Sequence, residues 1–426
     1  MLAKFIYNLF IFFLENTIHL ASIFNPKAAK WVQGRSDWRK KLQESVSNSF
    51  RQGKNVIWMH AASLGEFEQG KPVLERIKQQ DPEINVIVSF FSPSGYEASG
   101  NYPHADVICY LPADTRKNAE DFLGIVKPSL VLWMKYEYWW NTLGTIAERK
   151  IPLLLLSAIF QERQPFFKFY GAWFRNKLDY FTCIFVQTRE SFDLVSPFLS
   201  KEKLAVSGDT RFDRVKTIAG KWQGIPVIEQ WLEDGKKVWV AGSTWHDDEK
   251  ILMHLIVNRK DVKWIIAPHK TDKSSLTDTF SRFPKALHFS NLKENEISAE
   301  IKSNHVMIID GIGLLSRLYR YATICYIGGG FNDSGIHNTL EAAVYGKPVI
   351  FGPAYEKFAE AVGLVDAGAA VSFENVIELE GKLLPLLETA EEIEKMGYAA
   401  AEFVSVHAGA TDQIMDYIYK NRLLTN

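Results

Sequence analysis

Apolar runs of strand length alternate with helix-like segments through most of this 426-residue chain. The runs are rich in β-branched residues and apolar on both faces, which is typical of strands buried inside a parallel sheet. Because helical patterns separate them, the chain is predicted to form two doubly wound α/β domains. The runs occupy 55–60, 85–90, 106–110, 130–134, 152–156 and 182–186, and then 237–241, 262–267, 305–309, 322–327 and 348–351.

A stretch without strand signal separates the two series. Residues 216–236 contain three glycines and a proline, a composition typical of a connecting segment. In doubly wound folds ligands bind at the carboxyl ends of the strands, so the two domains are expected to face a cleft. The last helix, near 410–422, could cross back to the first domain. We predict an apolar leader at 1–30, a first domain at 31–215, a linker at 216–236 and a second domain at 237–426.

Composition excludes several classes of protein. Hydrophobic residues make up 47% and charged residues 23% of the chain, which rules out a disordered polypeptide. Lys and Arg number 49 against 50 Asp and Glu, so the chain is not basic throughout, as a general nucleic-acid binder would be. Cys109, Cys183 and Cys325 lie far apart without CxxC spacing. They predict reduced core residues, and neither a disulfide framework nor a metal site.

The amino terminus departs from this neutral average. Residues 5–24 are mostly apolar and long enough to cross a bilayer, but Glu15 near their middle is costly there. Residues 27–54 then carry eight Lys and Arg against two acids, a local excess of six positive charges. This order favours a helix in or on a membrane surface over a buried amphipathic helix. The cations expected to face anionic lipid include Arg35, Arg39, Lys40 and Lys41.

The first loop with a chemical signature follows the first strand. It reads His60-Ala-Ala-Ser-Leu-Gly-Glu66 and opens a helix. Ser63 and Glu66 have the spacing of a helix capping box, the reading that the pattern alone favours. A carboxylate there could also act as a general base toward an acceptor hydroxyl. Gly65 would let a ligand or a second backbone approach closely.

A second loop, Trp133-Met-Lys-Tyr-Glu-Tyr-Trp-Trp-Asn141, follows the fourth strand. Glu137 stands in it among four aromatic residues. Sugar or lipid packing and a domain interface explain such a cluster equally well.

A third loop carries Gly242, Ser243 and Thr244 after the first strand of the second series. These residues are predicted to open a helix. Their backbone N–H groups and hydroxyls would then form an anion site there, or the Ser and Thr would simply cap the helix.

The fourth loop lies within residues 326–353, where a strand runs into three glycines, including Gly329 and Gly330, and then into a helix beginning near His337. The glycines would clear space for a phosphate, and Glu341 would bind ribose hydroxyls. We favour nucleotide binding here over a purely structural glycine turn. The sequence contains no P-loop motif, and this loop is not a dinucleotide-fold fingerprint.

Taken together, these loops resemble the 3-deoxy-D-manno-octulosonic acid (Kdo) transferases of Gram-negative bacteria. The resemblance covers nearly the whole chain, from Gly34 to the carboxyl end, with five motifs in the family's order. It implies the α/β GT-B fold class, with two Rossmann-like domains facing a cleft and an amino-terminal membrane-associated helix. The motifs are H-x-x-S-x-G-E at 60–66, E-x-W-P-N at 137–141, G-x-x-[KR]-F-D at 208–213, G-S-T at 242–244 and G-H-N-x-L-E ending at Glu341.

The resemblance also implies an activity and a location. The expected enzyme is an inverting glycosyltransferase that moves Kdo from CMP-Kdo to a lipid A precursor (lipid IVA) in lipopolysaccharide inner-core synthesis. It would work at the cytoplasmic face of the inner membrane, beside anionic lipids and without nucleic acid. The first domain would bind the acceptor and the second the CMP-sugar. Neither metal nor cofactor is expected, since cationic side chains and helix N-termini could stabilise the departing CMP.

The family's residue roles carry over position by position. Glu66 would be the general base, Glu137 a second acid near the acceptor, and Ser63 and Gly65 would lie on the acceptor side. The residues expected to bind the donor are Arg211, Gly242, Ser243, Thr244, His269, Lys270, Lys273, Gly329, Gly330, His337, Asn338 and Glu341.

The chain departs from the family pattern around several of these residues. Lys135 and Trp140 replace an acid and a proline beside Glu137, and Ile336 replaces a glycine. An arginine is missing from the loop at 267–273, which shifts phosphate neutralisation to its His and Lys residues. Acceptor details and the number of Kdo residues added therefore stay open. So do two other functions: another GT-B nucleotide-sugar enzyme, such as a UDP-sugar transferase or epimerase, and a non-catalytic nucleotide-sugar-binding protein at the membrane surface.

Overall fold

The computed structural model describes residues 2–135 and 137–424; Met1, Tyr136, Thr425 and Asn426 lie outside the described residues. The chain divides into two compact units. The first comprises Met1–Arg214 with Ala408–Asn426, and the second comprises Val215–His407.

The described residues of the first unit form one parallel sheet of seven strands in the order β3-β2-β1-β4-β5-β6-β7. The strand order reverses direction between β1 and β4, which is the switch point of a doubly wound sheet. Each residue of β4 is buried, because helices cover both faces of the sheet. The strands are β1 (Val56–Ala61), β2 (Asn85–Phe90), β3 (Val107–Tyr110), β4 (Leu130–Met134), β5 (Leu153–Ala158), β6 (Cys183–Val186) and β7 (Leu204–Val206).

The helices of the first unit precede and connect these strands. They are α1 (Leu2–Ala21), α2 (Pro26–Arg35), α3 (Trp38–Ser49), α4 (Leu64–Gln80), α5 (Pro93–Ser99), α6 (Arg116–Val126), α7 (Trp140–Glu148), α8 (Ala172–Leu178) and α9 (Arg189–Val195), followed by α10 (Thr210–Gly220), which runs into the second unit. Short 3₁₀ turns occupy Pro165–Phe167 and Lys201–Lys203.

The second unit, every residue of which is described, repeats this architecture with a sheet in the order β10-β11-β9-β8-β12-β13-β14. Its strands are β8 (Lys237–Thr244), β9 (Val262–Pro268), β10 (Leu287–His288), β11 (Val306–Ile308), β12 (Ile324–Ile327), β13 (Val349–Phe351) and β14 (Ala370–Ser372). Its helices are α11 (Pro226–Trp231), α12 (His246–Asn258), α13 (Lys273–Arg282), α14 (Ala299–Ser303), α15 (Leu315–Leu318), α16 (Leu340–Ala343), α17 (Ala359–Asp366), α18 (Val376–Glu378), α19 (Leu384–Glu388) and α20 (Ala390–His407), with 3₁₀ turns at Phe289–Asn291 and Tyr319–Tyr321 and a π turn at Leu379–Leu383. The predicted pair of doubly wound parallel sheets is confirmed.

The stretch 216–236, predicted as a linker, belongs to the second unit. It holds the end of α10 and all of α11, and Trp231 in α11 is fully buried. The glycines and the proline predicted a linker, but Pro226 opens α11 at a position where helices accept proline.

The final helix, α21 (Ala410–Lys420), is part of the first unit. Its buried face, Ile414, Met415 and Ile418, packs into the core that lies on one side of the first sheet. The Asp213 carboxylate accepts from the backbone N–H groups of Gly409 and Thr411, at 2.6 and 2.7 Å. The last helix therefore returns to the first domain, and these contacts account for its return.

Much of the apolar surface of the amino-terminal helix α1 is exposed. Of the residues described in α1, Ile11 is the buried one, while Phe5, Phe12 and Phe13 are 58–66% exposed. Among the described residues no single helix is long and apolar enough to cross a membrane. The pair α1 and α2, bent by 119°, passes that test on length and composition alone.

The positive charges that follow α1 are less available than their count predicted. Arg35, expected to face lipid, is buried, donates to the backbone carbonyls of Leu111 and Phe91, and lies 3.8 Å from the Trp31 ring centre. Burial lowers the pKa of Arg35 to about 9. The prediction for Arg35 is therefore wrong, because backbone carbonyls distant in sequence bind its guanidinium inside the fold. Other cations of the segment form ion pairs: Lys30 with Glu97, Arg39 with Asp121, Lys40 with Glu44 and Arg51 with Asp106. Exposed Lys41 bonds to the Ser36 hydroxyl.

The burial of the cysteines fits the expectation of core residues. Cys183 and Cys325 are buried, Cys109 is half-buried, and all three are free thiols.

Candidate functional site

The catalytic residues predicted for the first domain lie at the carboxyl edge of the first sheet. β1 lies between β2 and β4, with His60 in register with Ser89 on one side and Trp133 on the other. The loops that leave β1 and β4 carry Glu66 and Glu137, so the two carboxylates come from neighbouring strands at the switch point.

Glu66 is held by its own loop. Its Oε2 accepts from the backbone N–H of Ala62 at 2.6 Å, one residue earlier than a capping box requires. Ser63 has the extended backbone of an N-cap residue but makes no side-chain capping bond. The capping box is therefore not formed. Among the described residues Glu66 Oε1 has no hydrogen-bond partner, and a Cβ on Gly65 would meet nothing within 4 Å.

The electrostatics of Glu66 differ from the expectation that the helix dipole keeps it ionised. Burial raises the pKa of Glu66 above its ordinary value, and the nearby charge of Glu137 raises it further. The Ala62 N–H, His60 and Lys135 act in the opposite direction without cancelling the effect of burial. A carboxylate with a raised pKa is a stronger base, which suits proton abstraction near neutral pH.

The Glu137 carboxylate is held in place by hydrogen bonds from the ring nitrogens of two neighbouring side chains. The His60 Nε2 lies 3.0 Å from Glu137 Oε2, and Trp139 Nε1 donates to the same oxygen at 2.9 Å. The backbone carbonyl of Glu137 accepts from Trp133 Nε1. The Glu137 side chain remains 20% exposed, so it is oriented without being sealed off. Tyr136, one of the four aromatic neighbours noted in the sequence, lies outside the described residues.

His60 is a site residue to which the sequence assigned no separate role. It is fully buried, and its Nδ1 lies 2.9 Å from the Ser89 hydroxyl, which also accepts from Trp58 Nε1 at 2.8 Å. A carboxylate accepts, so Nε2 carries the hydrogen toward Glu137 and Nδ1 accepts from Ser89 in this arrangement. The chain of contacts fixes the ring and, through it, Glu137. The spacing of the motif could have indicated His60, but its partners lie far away in sequence.

The segment 208–213 also lies in the first unit. Arg211, predicted to contact the donor, has its Nε 2.8 Å from Asp209 Oδ2. Asp209 in turn accepts from Gln69 Nε2 at 3.0 Å, which ties the segment to α4. The structure thus brings Arg211 into the same unit as Glu66 and Glu137.

In the second unit, Gly242, Ser243 and Thr244 lie at the end of β8, and α12 begins two residues later at His246. The prediction that they open a helix is wrong. The Thr244 hydroxyl donates to buried Glu249, and a Cβ on Gly242 would collide with the Tyr319 hydroxyl. Ser243 has a left-handed backbone (φ 55°), a conformation that costs free energy outside glycine.

The glycine loop is packed against backbone. A Cβ on Gly330 would lie 2.6 Å from Gly352 Cα, and the Gly329 N–H donates to Asp248 at 2.9 Å. Asp248 also accepts from the Tyr326 hydroxyl and the Trp245 N–H. The idea that these glycines clear space for a phosphate is therefore not supported, because backbone already fills that space and the Gly329 N–H is used internally.

Three rings stack beside this loop. The centroid of Trp245 lies 4.5 Å from that of His269, which lies 4.4 Å from that of His337. Trp245 Nε1 donates to His337 Nε2 at 3.0 Å, and Lys270 Nζ is 5.5 Å from the Trp245 ring centre. Burial, with the charge of His269, lowers the pKa of His337 to about 4, and burial with Lys270 lowers that of His269. Both histidines were predicted as donor-binding residues from the sequence, whereas Trp245 was not.

The remaining donor candidates lie nearby in the chain. Helix α16 begins at Leu340, later than the start near His337 that was predicted. Asn338 Nδ2 donates to Glu341 Oε1 at 3.0 Å, and Asn338 Oδ1 accepts from the Leu340 N–H. Lys273 is the exposed first residue of α13.

Within the described ranges, no group of three His, Cys, Asp or Glu side chains is placed to hold a metal ion. The expectation of a metal-free reaction stays a prediction.

Comparison with known proteins points to the same family that the sequence motifs resemble. A family model for 3-deoxy-D-manno-octulosonic-acid transferase (kdotransferase) matches residues 36–214, which end where the amino-terminal segment of the first unit ends. A 3-deoxy-D-manno-octulosonic acid transferase of Rickettsia felis is 27% identical over 388 residues, covering 86% of this chain and 79% of the relative. One from Haemophilus influenzae is 24% identical over 373 residues, covering 85% of this chain and 86% of the relative.

The fold has solved counterparts. A UDP-GlcNAc 2-epimerase of Neisseria meningitidis superposes with a TM-score of 0.60 at 16% identity, covering 86% of this chain and all of that one. At that identity the likeness concerns the fold alone, which is of the GT-B class. The family match over residues 36–214, together with Kdo transferases that align with 85–86% of the chain, supports its membership of the 3-deoxy-D-manno-octulosonic acid (Kdo) transferase family of glycosyltransferases.

Proposed function

We propose that this Kdo transferase uses CMP-Kdo as donor and the lipid A precursor lipid IVA as acceptor, in the inner core of lipopolysaccharide. The observation that carries the proposal is the placement of Glu66. Its Oε2 is fixed by the Ala62 N–H, its Oε1 has no partner among the described residues, and its pKa is raised by burial. These three properties suit a base that must take a proton from an alcohol.

The reaction follows from that base. Glu66 removes the proton of a primary hydroxyl on the acceptor, and the resulting oxygen attacks the anomeric carbon of Kdo. The bond between that carbon and the phosphate oxygen breaks, and CMP leaves with the bonding electrons. Attack from the face opposite CMP inverts the anomeric centre.

Glu137 is proposed to lie beside the acceptor. Its carboxylate is oriented by His60 and Trp139 and stays partly exposed, so it can accept a hydrogen bond from a sugar hydroxyl. The rings of Tyr138 and Trp140, on the carboxyl side of Glu137, stack with centroids 5.0 Å apart and stabilise the loop.

The ring stack of the second unit is proposed to receive the nucleotide. A planar base packs well against aromatic rings such as those of Trp245 and His269. Lys270 at the edge of the stack, with exposed Lys273, supplies positive charge for the phosphate. Arg211, Ser243, Asn338 and Glu341 keep their predicted donor roles within this proposal.

The test is an assay with CMP-Kdo and a tetra-acylated lipid A precursor, read by CMP release and by the mass of the product. A gain of one Kdo mass or a multiple of it supports the proposal and counts the residues added. Folded protein that binds the donor without turnover would favour the non-catalytic sugar-nucleotide binder instead. Thermal stabilisation by UDP but not by CMP would favour another nucleotide-sugar enzyme.

We further propose that α1 docks the enzyme on the cytoplasmic face of the inner membrane. Its exposed side carries phenylalanines, and exposed Ile23 and Phe24 follow it. Apolar area of this kind supports binding to the acyl boundary of a bilayer. Because many of the neighbouring cations are ion-paired, apolar burial should contribute more than charge.

Vesicle flotation tests the docking. A Phe12→Ser/Phe13→Ser double variant should bind anionic vesicles more weakly than the matched Ile377→Ser variant, whose residue is 79% exposed in the second unit. Raising the salt concentration should also weaken the binding of the wild type to anionic vesicles. Binding that depends neither on salt nor on residues 1–26 would refute the proposal.

A further inference from the structure

We propose that Tyr7 and Asp114 are positioning residues, through which the docked amino-terminal helix holds the Glu137 loop in its working geometry. The inference rests on the proposed function, since it takes Glu137 to act beside the acceptor. It adds a contribution of α1 to turnover that is separate from any contact with lipid.

Asp114 is the centre of this arrangement. It is buried, 3% exposed, and its carboxylate faces the first turn of α7. It accepts from the backbone N–H groups of Asn141 and Thr142, at 2.9 and 2.8 Å, and from the Thr142 hydroxyl at 2.6 Å. Trp139, at the N-cap position, supplies no side-chain capping bond. Asp114 therefore caps α7 from elsewhere in the chain and places a negative charge at the positive end of the helix.

Tyr7 completes the cap from α1. Its hydroxyl donates to Asp114 Oδ2 at 2.6 Å and accepts from the backbone N–H of Trp140 at 3.1 Å. On the next residue of α1, Asn8 Oδ1 accepts from the Asn141 side chain at 2.9 Å. The polar contacts of α1 thus converge on the first two residues of α7.

That end of α7 is also one end of the Glu137 loop. β4 ends at Met134 and α7 begins at Trp140, so five residues connect a buried strand to the capped helix. Lys135, the first of them, has a left-handed backbone (φ 48°), and Trp139, the last, donates to the Glu137 carboxylate. A short loop between two fixed ends has little freedom, and releasing one end lets the carboxylate move. Displacements near 1 Å at a reacting group can cost about a hundredfold in rate.

The hydroxyl of Tyr7 can be separated from the packing of its ring. The ring lies 6.0 Å from that of Trp173, and phenylalanine would keep this contact. Tyr7→Phe therefore removes the two hydrogen bonds and leaves the apolar docking of α1 in place. Tyr417→Phe is the matched control, because it removes a half-buried hydroxyl of the same unit that donates to the Thr182 carbonyl, far from the loop.

The experiment compares the two full-length variants with the wild type in the CMP-Kdo assay and in hydrogen–deuterium exchange. For Tyr7→Phe we expect kcat to fall about tenfold, KM for CMP-Kdo to stay within twofold, and amides 138–142 to exchange faster. For Tyr417→Phe we expect kcat and exchange at 138–142 to match the wild type.

A kcat for Tyr7→Phe within twofold of the wild type overturns the inference, even if the melting temperature falls, because the anchor would then be merely structural. Equal losses in both variants overturn it too, as does unchanged exchange at 138–142. If wild-type protein transfers no Kdo, the proposed function fails by that result, whereas the exchange comparison still decides whether Tyr7 orders the loop.

Discussion

The two units share one architecture but use their motif residues differently. In the first unit, Glu66 and Glu137 extend from the sheet edge with oxygens still available to a ligand, and a buried histidine orients one of them. In the second unit, the conspicuous residues mostly satisfy one another: Thr244 bonds Glu249, the Gly329 N–H bonds Asp248, and Gly330 abuts Gly352.

This difference shows what a motif can mean. A residue type at a strand end marks chemistry when its polar atoms stay unpaired inside the fold, and marks packing when they are already used. The spacing of residues is the same in both cases, so only the partners distinguish them.

The largest effect is expected from Glu66→Gln. If the first unit supplies the base, this change should lower kcat about a thousandfold, the range typical of a lost general base, while binding of CMP to the second unit is unchanged. Calorimetry with CMP and the transfer assay measure the two effects. A rate within tenfold of the wild type would remove Glu66 from the mechanism.

Glu137→Gln should lower kcat roughly ten- to a hundredfold and also move the pH profile. Only the carboxylate form of Glu66 accepts a proton, so activity falls as pH drops through its raised pKa. The charge of Glu137 helps to raise that pKa. Removing the charge should shift the acid limb of kcat/KM to lower pH, measured from pH 4.5 to 8. An acid limb that stays fixed or moves to higher pH would contradict the electrostatic link between the two carboxylates.

Two glycine substitutions test whether the glycines of the two units differ in how tightly they are packed. Gly330→Ala forces a methyl group against the Gly352 backbone and should destabilise the protein by about 1–3 kcal/mol. Gly65→Ala meets nothing within 4 Å in the first turn of α4 and should be neutral or stabilising by up to about 1 kcal/mol. Urea unfolding measures both. Equal effects would mean that the glycines of the two units do not differ in role.

The smallest expected effect concerns His337. Its folded pKa of about 4 lies below the ordinary 6.5, so between these values the unfolded chain binds a proton that the folded chain does not. The contribution of neutral His337 to stability is therefore present above pH 6.5 and is lost as pH falls toward 4. The melting temperature of His337→Gln should lie below that of the wild type at pH 7, and the gap between the two should be smaller at pH 5. A difference that widens would contradict the assignment.

Much of the fold could be predicted from the sequence because buried parallel strands leave long apolar runs. The run at 85–90, for example, matches the bounds of β2. The missed strands β7, β10 and β14 have two or three residues each and partly exposed side chains, which leave no such signal.

The candidate site was predictable to the level of its carboxylates and histidines, since they follow strand ends. Their partners were not predictable, because contacts such as His60 with Ser89 or Tyr7 with Asp114 join residues 29 and 107 positions apart. The same reason explains the error on Arg35, whose carbonyl partners lie 56 and 76 positions away.

The anchoring of α21 by Asp213 has a consequence for synthesis on the ribosome. The second unit is one continuous segment, whereas the first needs Ile414, Met415 and Ile418 to fill its core. The unit that emerges first is thus the last to be completed. One face of its sheet stays without α21 while some two hundred further residues are translated. We expect chaperones that bind apolar surfaces to associate longest with this face of the nascent chain.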